Sequence, residues 1–126
     1  MKPSEILDAA ANIVLRDGWH QGTYFAVEPE DPQDVQDEKN RTAPCCQAGA
    51  ISRAAYGMAW VTYPRTTDID LQRLGAHAKA GHYMGQYIRR VHGATPIEWN
   101  DRPERTAGEV VAALRGAADD AREADE

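Results

Sequence analysis

The sequence predicts a mainly α-helical protein that forms a single small domain. Its 126 residues are the size of one ordinary domain, and its apolar and charged fractions of 42% and 27% are typical of globular proteins. Apolar residues recur at helical spacing in several segments, whereas β-rich segments are few and short. Because the chain has one Phe and many Ala, we expect helices that pack closely.

The first two of about four predicted helices are bounded by residues that commonly start or end helices. The first begins at Pro3 and ends at Gly18, since Pro is tolerated in a first turn and Gly readily ends a helix. The apolar residues between them recur at i, i+3, i+4 and i+7, which gives one continuous stripe. The second predicted helix begins at Thr42 or Ala43 and ends near Gly57.

The other two predicted helices lie in the second half of the chain. A third helical region covers 67–92 and has a threonine as its N-cap, and Gly81 is the point at which it would divide into two helices. A short helical turn follows it. The last helix begins at a capping box, in which Thr106 and Glu109 are three positions apart, and reaches about residue 118.

The remaining segments are predicted to be a ribbon, a loop and a tail. Segments 23–27 and 59–63 are β-rich and short, and they predict a two-stranded β-ribbon because a lone strand needs a partner. Segment 28–41 has two prolines, six acidic residues and one aliphatic residue, which predicts an acidic mobile loop inside a domain of residues 1–118. Residues 119–126 are predicted to be an acidic tail that frays.

The charge, the apolar segments and the cysteines indicate which partners and which compartment to expect. The formal net charge of −6 favours solubility and disfavours non-specific binding to nucleic acid or anionic membranes. No segment approaches the roughly 20 apolar residues that span a bilayer, and the first residues do not resemble a secretory signal. The two cysteines, Cys45 and Cys46, are adjacent and poorly placed to bridge each other, so we expect a cytoplasmic protein.

If the protein is an enzyme, the cysteine pair is the candidate source of its nucleophile. At the start of the second predicted helix, free N–H groups and the helix dipole would favour a thiolate. Papain-like hydrolases have a nucleophilic Cys followed along the chain by a His and then by an Asn or Asp. Here the His would be His77, His82 or His92, and the last residue Asn100 or Asp101. The candidate catalytic set for a hydrolase or transferase is Cys46, His82 and Asn100. The alternative is that Cys46 is simply a small buried residue, and we favour a protein that is not an enzyme.

No cofactor motif accompanies these residues. The sequence has no phosphate loop or dinucleotide-binding glycine pattern, so no cofactor is predicted. Adjacent cysteines also lack the spacing of a zinc ribbon or finger, so no metal site is predicted.

Two further segments are candidates for binding. Trp99 stands next to Asn100 and Asp101, an aromatic platform beside hydrogen-bonding groups, and with Trp19 these residues form a candidate binding surface. The structural alternative places Trp99 in the core and the two polar residues in a turn. The cationic and aromatic residues of Arg65–His92 offer a second alternative, weak binding of nucleic acid by charge and stacking.

Four short segments also resemble a known family. They are 18–22 (GWHQG), 46–51 (CQAGAI), 99–101 (WND) and 109–110 (EV). Their order resembles small proteins of unknown function from actinobacteria and their bacteriophages, from which this chain departs by having Cys45 where an aromatic residue stands in that family. The resemblance implies no catalytic residue and suggests a phage or actinobacterial cytosol, where small accessory proteins often bind host proteins. Together with the missing catalytic motifs and the acidic loop, it leads to our main hypothesis, an accessory or regulatory protein that binds a host protein in the host cytoplasm, with a homodimer as a further expectation.

Overall fold

Six helices form the part of the chain that the computed structural model describes, residues 1–61 and 70–126. In chain order they are α1 Pro3–Asp17, α2 Gln33–Thr42, α3 Gln47–Tyr56, α4 Leu71–His92, α5 Pro96–Asn100 and α6 Ala107–Glu123. The mainly helical single domain is confirmed. The predicted number of about four helices is wrong, because α2 buries none of its residues and α5 is only five residues long, so neither carries a long apolar stripe.

The core is built around α1, which packs against α3, α4 and α6. The apolar stripe of α1 is buried as predicted, with Leu7 and Ala10 fully inaccessible to solvent. The facing side of α6 consists largely of small residues, which lets the helix backbones approach closely. Its buried residues are Val110, Ala113, Leu114, Ala117, Ala118 and Ala121.

Helix α4 is continuous, so the predicted break at Gly81 does not occur. A buried stripe of Ala80, Met84 and Ile88 runs across that position and holds the helix against the core. The side chain of Asp70 caps the helix by accepting a hydrogen bond from the backbone N–H of Arg73 at 3.1 Å. The predicted N-cap, residue 67, lies outside the described residues.

The predicted β-ribbon is replaced by short backbone pairings around Cys45. On one side His20 N–H donates to the Cys45 carbonyl at 3.1 Å, and on the other Ala26 N–H donates to the Pro44 carbonyl at 2.8 Å. Segment 23–27 therefore pairs with the residues before α3 and not with the described residues 59–61, and the contacts with Cys45 are isolated bridges. Residues 62 and 63 of the other predicted strand lie outside the described residues.

Segment 28–41, predicted as a loop, contains all of α2 except its last residue, Thr42. The helix is held from outside by the buried Arg53 guanidinium, which donates to the carbonyl oxygens of Ala43 at 2.8 Å and Asn40 at 3.0 Å. Asn40 in turn exchanges two hydrogen bonds with the backbone of Trp60, at 2.8 and 2.9 Å. Contacts with distant residues thus stabilise a helix that has no apolar stripe of its own.

The predicted end of the last helix near residue 118 is too early. Helix α6 continues to Glu123, and Glu126 folds back onto α1 and α4. The Glu126 backbone carbonyl accepts from the Ser4 hydroxyl at 3.0 Å, and its carboxylate contacts Tyr83 at 3.0 Å and Lys79 at 2.7 Å. These partners tie residues 119–126 to the domain.

Candidate functional site

Asn100, at the end of α5, joins three segments that are far apart in the sequence. Its side chain is buried, and Oδ1 accepts hydrogen bonds from the Trp19 indole N–H at 2.9 Å and from the Gln47 backbone N–H at 3.2 Å. Its Nδ2 donates to the carboxylate of Asp101 at 3.0 Å and to the His20 carbonyl at 3.4 Å. The amide thereby connects the turn after α1, the start of α3 and α5.

The turn after α1 is fixed to α5 by further hydrogen bonds. Gln21 Nε2 donates to the carbonyl oxygens of Asn100 at 2.9 Å and Arg102 at 2.7 Å. The backbone N–H of Gly22 donates to Oδ1 of Asp101 at 3.1 Å. The turn therefore holds a defined position beside α5, with the Asp101 carboxylate between them.

Cys46 is the N-cap of α3. Its Sγ accepts a hydrogen bond from the Gly49 N–H at 3.3 Å, and its own N–H donates to the Tyr24 carbonyl at 3.1 Å. The Tyr24 carbonyl lies so close to α3 that a Cβ on Gly49 would be 2.4 Å from its oxygen. With the Gln47 N–H bound to Asn100, the first N–H groups of α3 are used within the protein, so they do not form an open anion site.

A groove with two connected lobes lies over the start of α3. The apolar lobe has a volume of about 730 Å³, is floored by Ala48 and Ile51, and reaches Gly81 of α4. The second lobe, about 310 Å³, also has a mainly apolar lining; because Cys46, Asn100 and Asp101 line it, it is called the polar lobe. Tyr24, Gln47, Ala48 and Ile97 line both lobes, so the two spaces form one groove.

Three large apolar side chains at the groove are exposed to solvent. Ile97 is 66% exposed, Trp60 is 48% exposed and Tyr24 is 40% exposed. The Tyr24 and Trp60 rings contact each other, with centroids 4.7 Å apart. Exposed large apolar side chains scattered singly are ordinary, whereas a cluster of them around a concave surface is typical of an interaction site.

Two titratable groups lie at opposite ends of the groove. His77 lines the apolar lobe, and its burial lowers the pKa of the imidazole, which favours the neutral form. Asp101 lines the polar lobe and is the one carboxylate among the described lining residues. The groove thus has a neutral, apolar end and an end with one negative charge.

A comparison with known protein families matches residues 1–120 to a family of unknown function. The chain belongs to the family of unknown function DUF6197. No curated protein and no solved structure matches the chain. The predicted resemblance to a family of unknown function is confirmed, and the actinobacterial or phage origin stays a prediction.

In this DUF6197 chain, the four candidate binding residues are in different environments. Asp101 is exposed and Asn100 is buried, and both line the polar lobe. Trp19 is half-buried, and its indole N–H is used by Asn100. Trp99 is buried, with the centroid of the His92 ring 5.0 Å from its own and the Arg105 guanidinium 4.2 Å from its ring centroid. Trp99 is therefore a core residue, as the structural alternative predicts, and not an exposed aromatic platform.

The residues of the cysteine hypothesis are only partly brought together. Cys46 and Asn100 line the same lobe, whereas His82 is exposed on α4 and is not among the described residues that line it. Burial raises the pKa of the Cys46 thiol and raises that of Cys45 to about 11. Both cysteines are free, and both favour the protonated form that is a poor nucleophile.

Two of the four described Lys and Arg residues of the predicted nucleic-acid stretch form close ion pairs with acids. Lys79 binds Glu126 at 2.7 Å and Arg90 binds Asp120 at 2.8 Å. Residue 65 lies outside the described residues. These pairings reduce the positive potential that binding to phosphates would require.

Neither a metal cluster nor a membrane span is found in the described chain. Within 1–61 and 70–126, no three His, Cys, Asp or Glu side chains are grouped so that they could hold a metal ion. None of the helices described here has both the length and the apolar character needed to cross a bilayer.

Sequence reasoning missed the exposed residues of the groove. Tyr24 and Trp60 were assigned to the predicted ribbon. Ile97 was not among the predicted binding residues, although it belongs to the same segment as Trp99, Asn100 and Asp101. Their sequence neighbours give no periodic signal, because the three side chains come from two loops and a five-residue helix. An aromatic residue in a segment too short for a stable strand is the one signal that could have identified Tyr24 and Trp60.

Proposed function

We propose that this DUF6197 protein is a non-enzymatic accessory or regulatory protein that binds a segment of another protein in the groove. The observation that carries the proposal is the cluster of Tyr24, Trp60 and Ile97, three exposed large side chains around a mainly apolar concave surface. Aromatic residues are enriched at protein interfaces, where they contribute a large share of the binding energy.

The shape of the surface supports a protein segment as the occupant. The groove runs from α4 across the start of α3 to the turn beside α5, and it is open to solvent along the exposed side chains. An elongated apolar surface of this kind suits the side chains of a short segment laid along it. The walls are also anchored: hydrogen bonds with α2 fix Trp60, and those with Asn100 fix the start of α3.

The family resemblance and the two free thiols suggest where the partner is found. We propose a host protein as the partner and a reducing cytosol as the compartment, since free adjacent cysteines suit a reducing environment. This setting rests on the resemblance to actinobacterial and phage proteins.

A pair of matched charge substitutions tests the proposal. Ile97 and Leu15 are equally exposed, at 66% and 67%, but Leu15 lies on α1 and does not line the groove. Wild-type, Ile97→Asp and Leu15→Asp chains are used for affinity capture from a host lysate, followed by quantitative mass spectrometry. We expect a partner retained by the wild type and by Leu15→Asp, and reduced at least about tenfold by Ile97→Asp, since a charge placed in an apolar contact is costly. Partners captured equally by all three chains would contradict the proposal.

A further inference from the structure

Asp101 places one carboxylate in a defined orientation at the polar end of the groove. Its Oδ1 accepts from the Gly22 N–H at 3.1 Å and from Asn100 Nδ2 at 3.0 Å. Oδ2 accepts no hydrogen bond within the described residues. The charge is therefore held in place by the fold while half of the carboxylate remains available.

The described residues supply no cation for this carboxylate. None of the ion pairs among the described residues involves Asp101. The nearby Arg105 is used elsewhere, since its guanidinium stacks on Trp99 and binds Glu109 at 2.8 Å. A fixed carboxylate that has no cation among the described residues and lies beside an apolar surface favours a partner that brings a positive charge.

The lining of the rest of the groove strengthens this preference. The other described lining residues are uncharged when His77 is neutral, and the whole chain carries a net charge of −6, so the overall field attracts cations. Tyr24 lines both lobes, and its exposed ring can stack under a Lys or Arg side chain on its way to Asp101.

We infer that the groove recognises a short protein segment in which a Lys or Arg stands close to an apolar anchor residue, with the cation paired to Asp101 and the anchor seated between Ile51 and Trp60. The two lobes share four lining residues, so both side chains come from one short segment. This inference rests on the proposed function, because it names the chemistry of the partner bound at the same groove.

Selection from a random heptapeptide library on three immobilised full-length chains tests the inference. The chains are wild type, Ile97→Asp and Asp101→Asn; the last keeps an oxygen for the Gly22 N–H, removes the charge and replaces the second oxygen with an NH2 group that cannot accept a hydrogen bond. We expect wild-type selections to be enriched in Lys and Arg at one position beside an aromatic or aliphatic residue, and Asp101→Asn selections to lack that basic position.

Binding measurements with the best wild-type peptide then isolate the ion pair. The peptide is made with its Lys or Arg and with norleucine at the same position. Either Asp101→Asn or norleucine alone should weaken binding about three- to fivefold, and the two changes together should weaken it no further, as in a double-mutant cycle of a partly exposed ion pair. Independent, additive losses or no loss would overturn the inference.

The failures of the two proposals are distinguishable. If selected peptides lose binding on Ile97→Asp but show no enrichment of Lys or Arg, this inference is overturned and the proposed function stays in place. A lack of any peptide sensitive to Ile97→Asp would overturn both. Sedimentation that shows a dimer of the chain dispersed by Ile97→Asp would assign the groove to a second copy and overturn the inference as well.

Discussion

The indole N–H of Trp19 donates a 2.9 Å hydrogen bond to Oδ1 of Asn100, a residue 81 positions later in the sequence. The same oxygen accepts from the Gln47 N–H, so one buried amide holds the turn after α1 and the start of α3 against α5. These are the elements that surround the polar lobe of the groove. The stability of the domain and the shape of the groove therefore depend on the same side chain.

Replacing Asn100 with Ala should lower the free energy of unfolding by about 2–4 kcal/mol. The substitution leaves the Trp19 and Gln47 N–H groups without their acceptor, and each buried unsatisfied donor costs roughly 1–3 kcal/mol. Urea denaturation monitored by circular dichroism measures the change. Asn12→Ala is the control and should cost less than about 1 kcal/mol, since Asn12 is exposed and its side chain has one hydrogen bond among the described residues, accepted from Arg115. Equal losses in both variants would contradict the assigned role.

Gly49→Ala should destabilise the protein by about 1–3 kcal/mol, because the new Cβ would lie 2.4 Å from the Tyr24 backbone oxygen and force the chain away from α3. Gly75→Ala is a matched control in α4, where a Cβ meets no described atom within 4 Å. This control should stabilise the protein by about 0.5–1 kcal/mol, since Ala is the better helix former. Thermal unfolding of both variants measures these opposite shifts, and shifts of the same sign would refute the close contact.

Stability should fall at alkaline pH because of Cys45. Burial raises the pKa of its thiol in the folded state to about 11 from an ordinary value of 9.0, so the unfolded chain loses this proton first. The contribution of the protonated Cys45 thiol to the free energy of unfolding is therefore fully present below about pH 9 and is lost as the pH rises through about 11. The difference in unfolding free energy between wild type and Cys45→Ala should therefore decrease by about 2 kcal/mol from pH 8 to pH 11.

Comparing the two chains at each pH removes the contribution of other groups that titrate in both, such as Lys and Tyr. The measurement is urea unfolding in the presence of a phosphine reductant, which keeps both cysteines reduced. Any constant loss from the smaller Ala side chain shifts the difference equally at every pH. A difference that stays constant to pH 11 would show that the Cys45 thiol is not protected from ionisation.

The sequence by itself determined the helices that depend on local interactions. The apolar stripe of α1 and its end at Gly18, and the capping box of Thr106 and Glu109 in α6, involve residues within a few positions of each other. Their periodicity and caps were therefore readable directly, as was the small-residue character of the helix contacts. Four short segments also placed the chain in a family of unknown function, which the family comparison confirms.

Only the tertiary structure decided the elements whose stabilising partners are distant in the chain. Helix α2 has no apolar stripe and depends on the Arg53 guanidinium, and segment 23–27 pairs beside Cys45 because the turn after α1 brings the two together. The groove likewise requires Tyr24, Trp60, Ile97 and Asp101 to meet at one surface. A concave surface is the space that packed elements leave between them, and no local pattern of residues encodes that space.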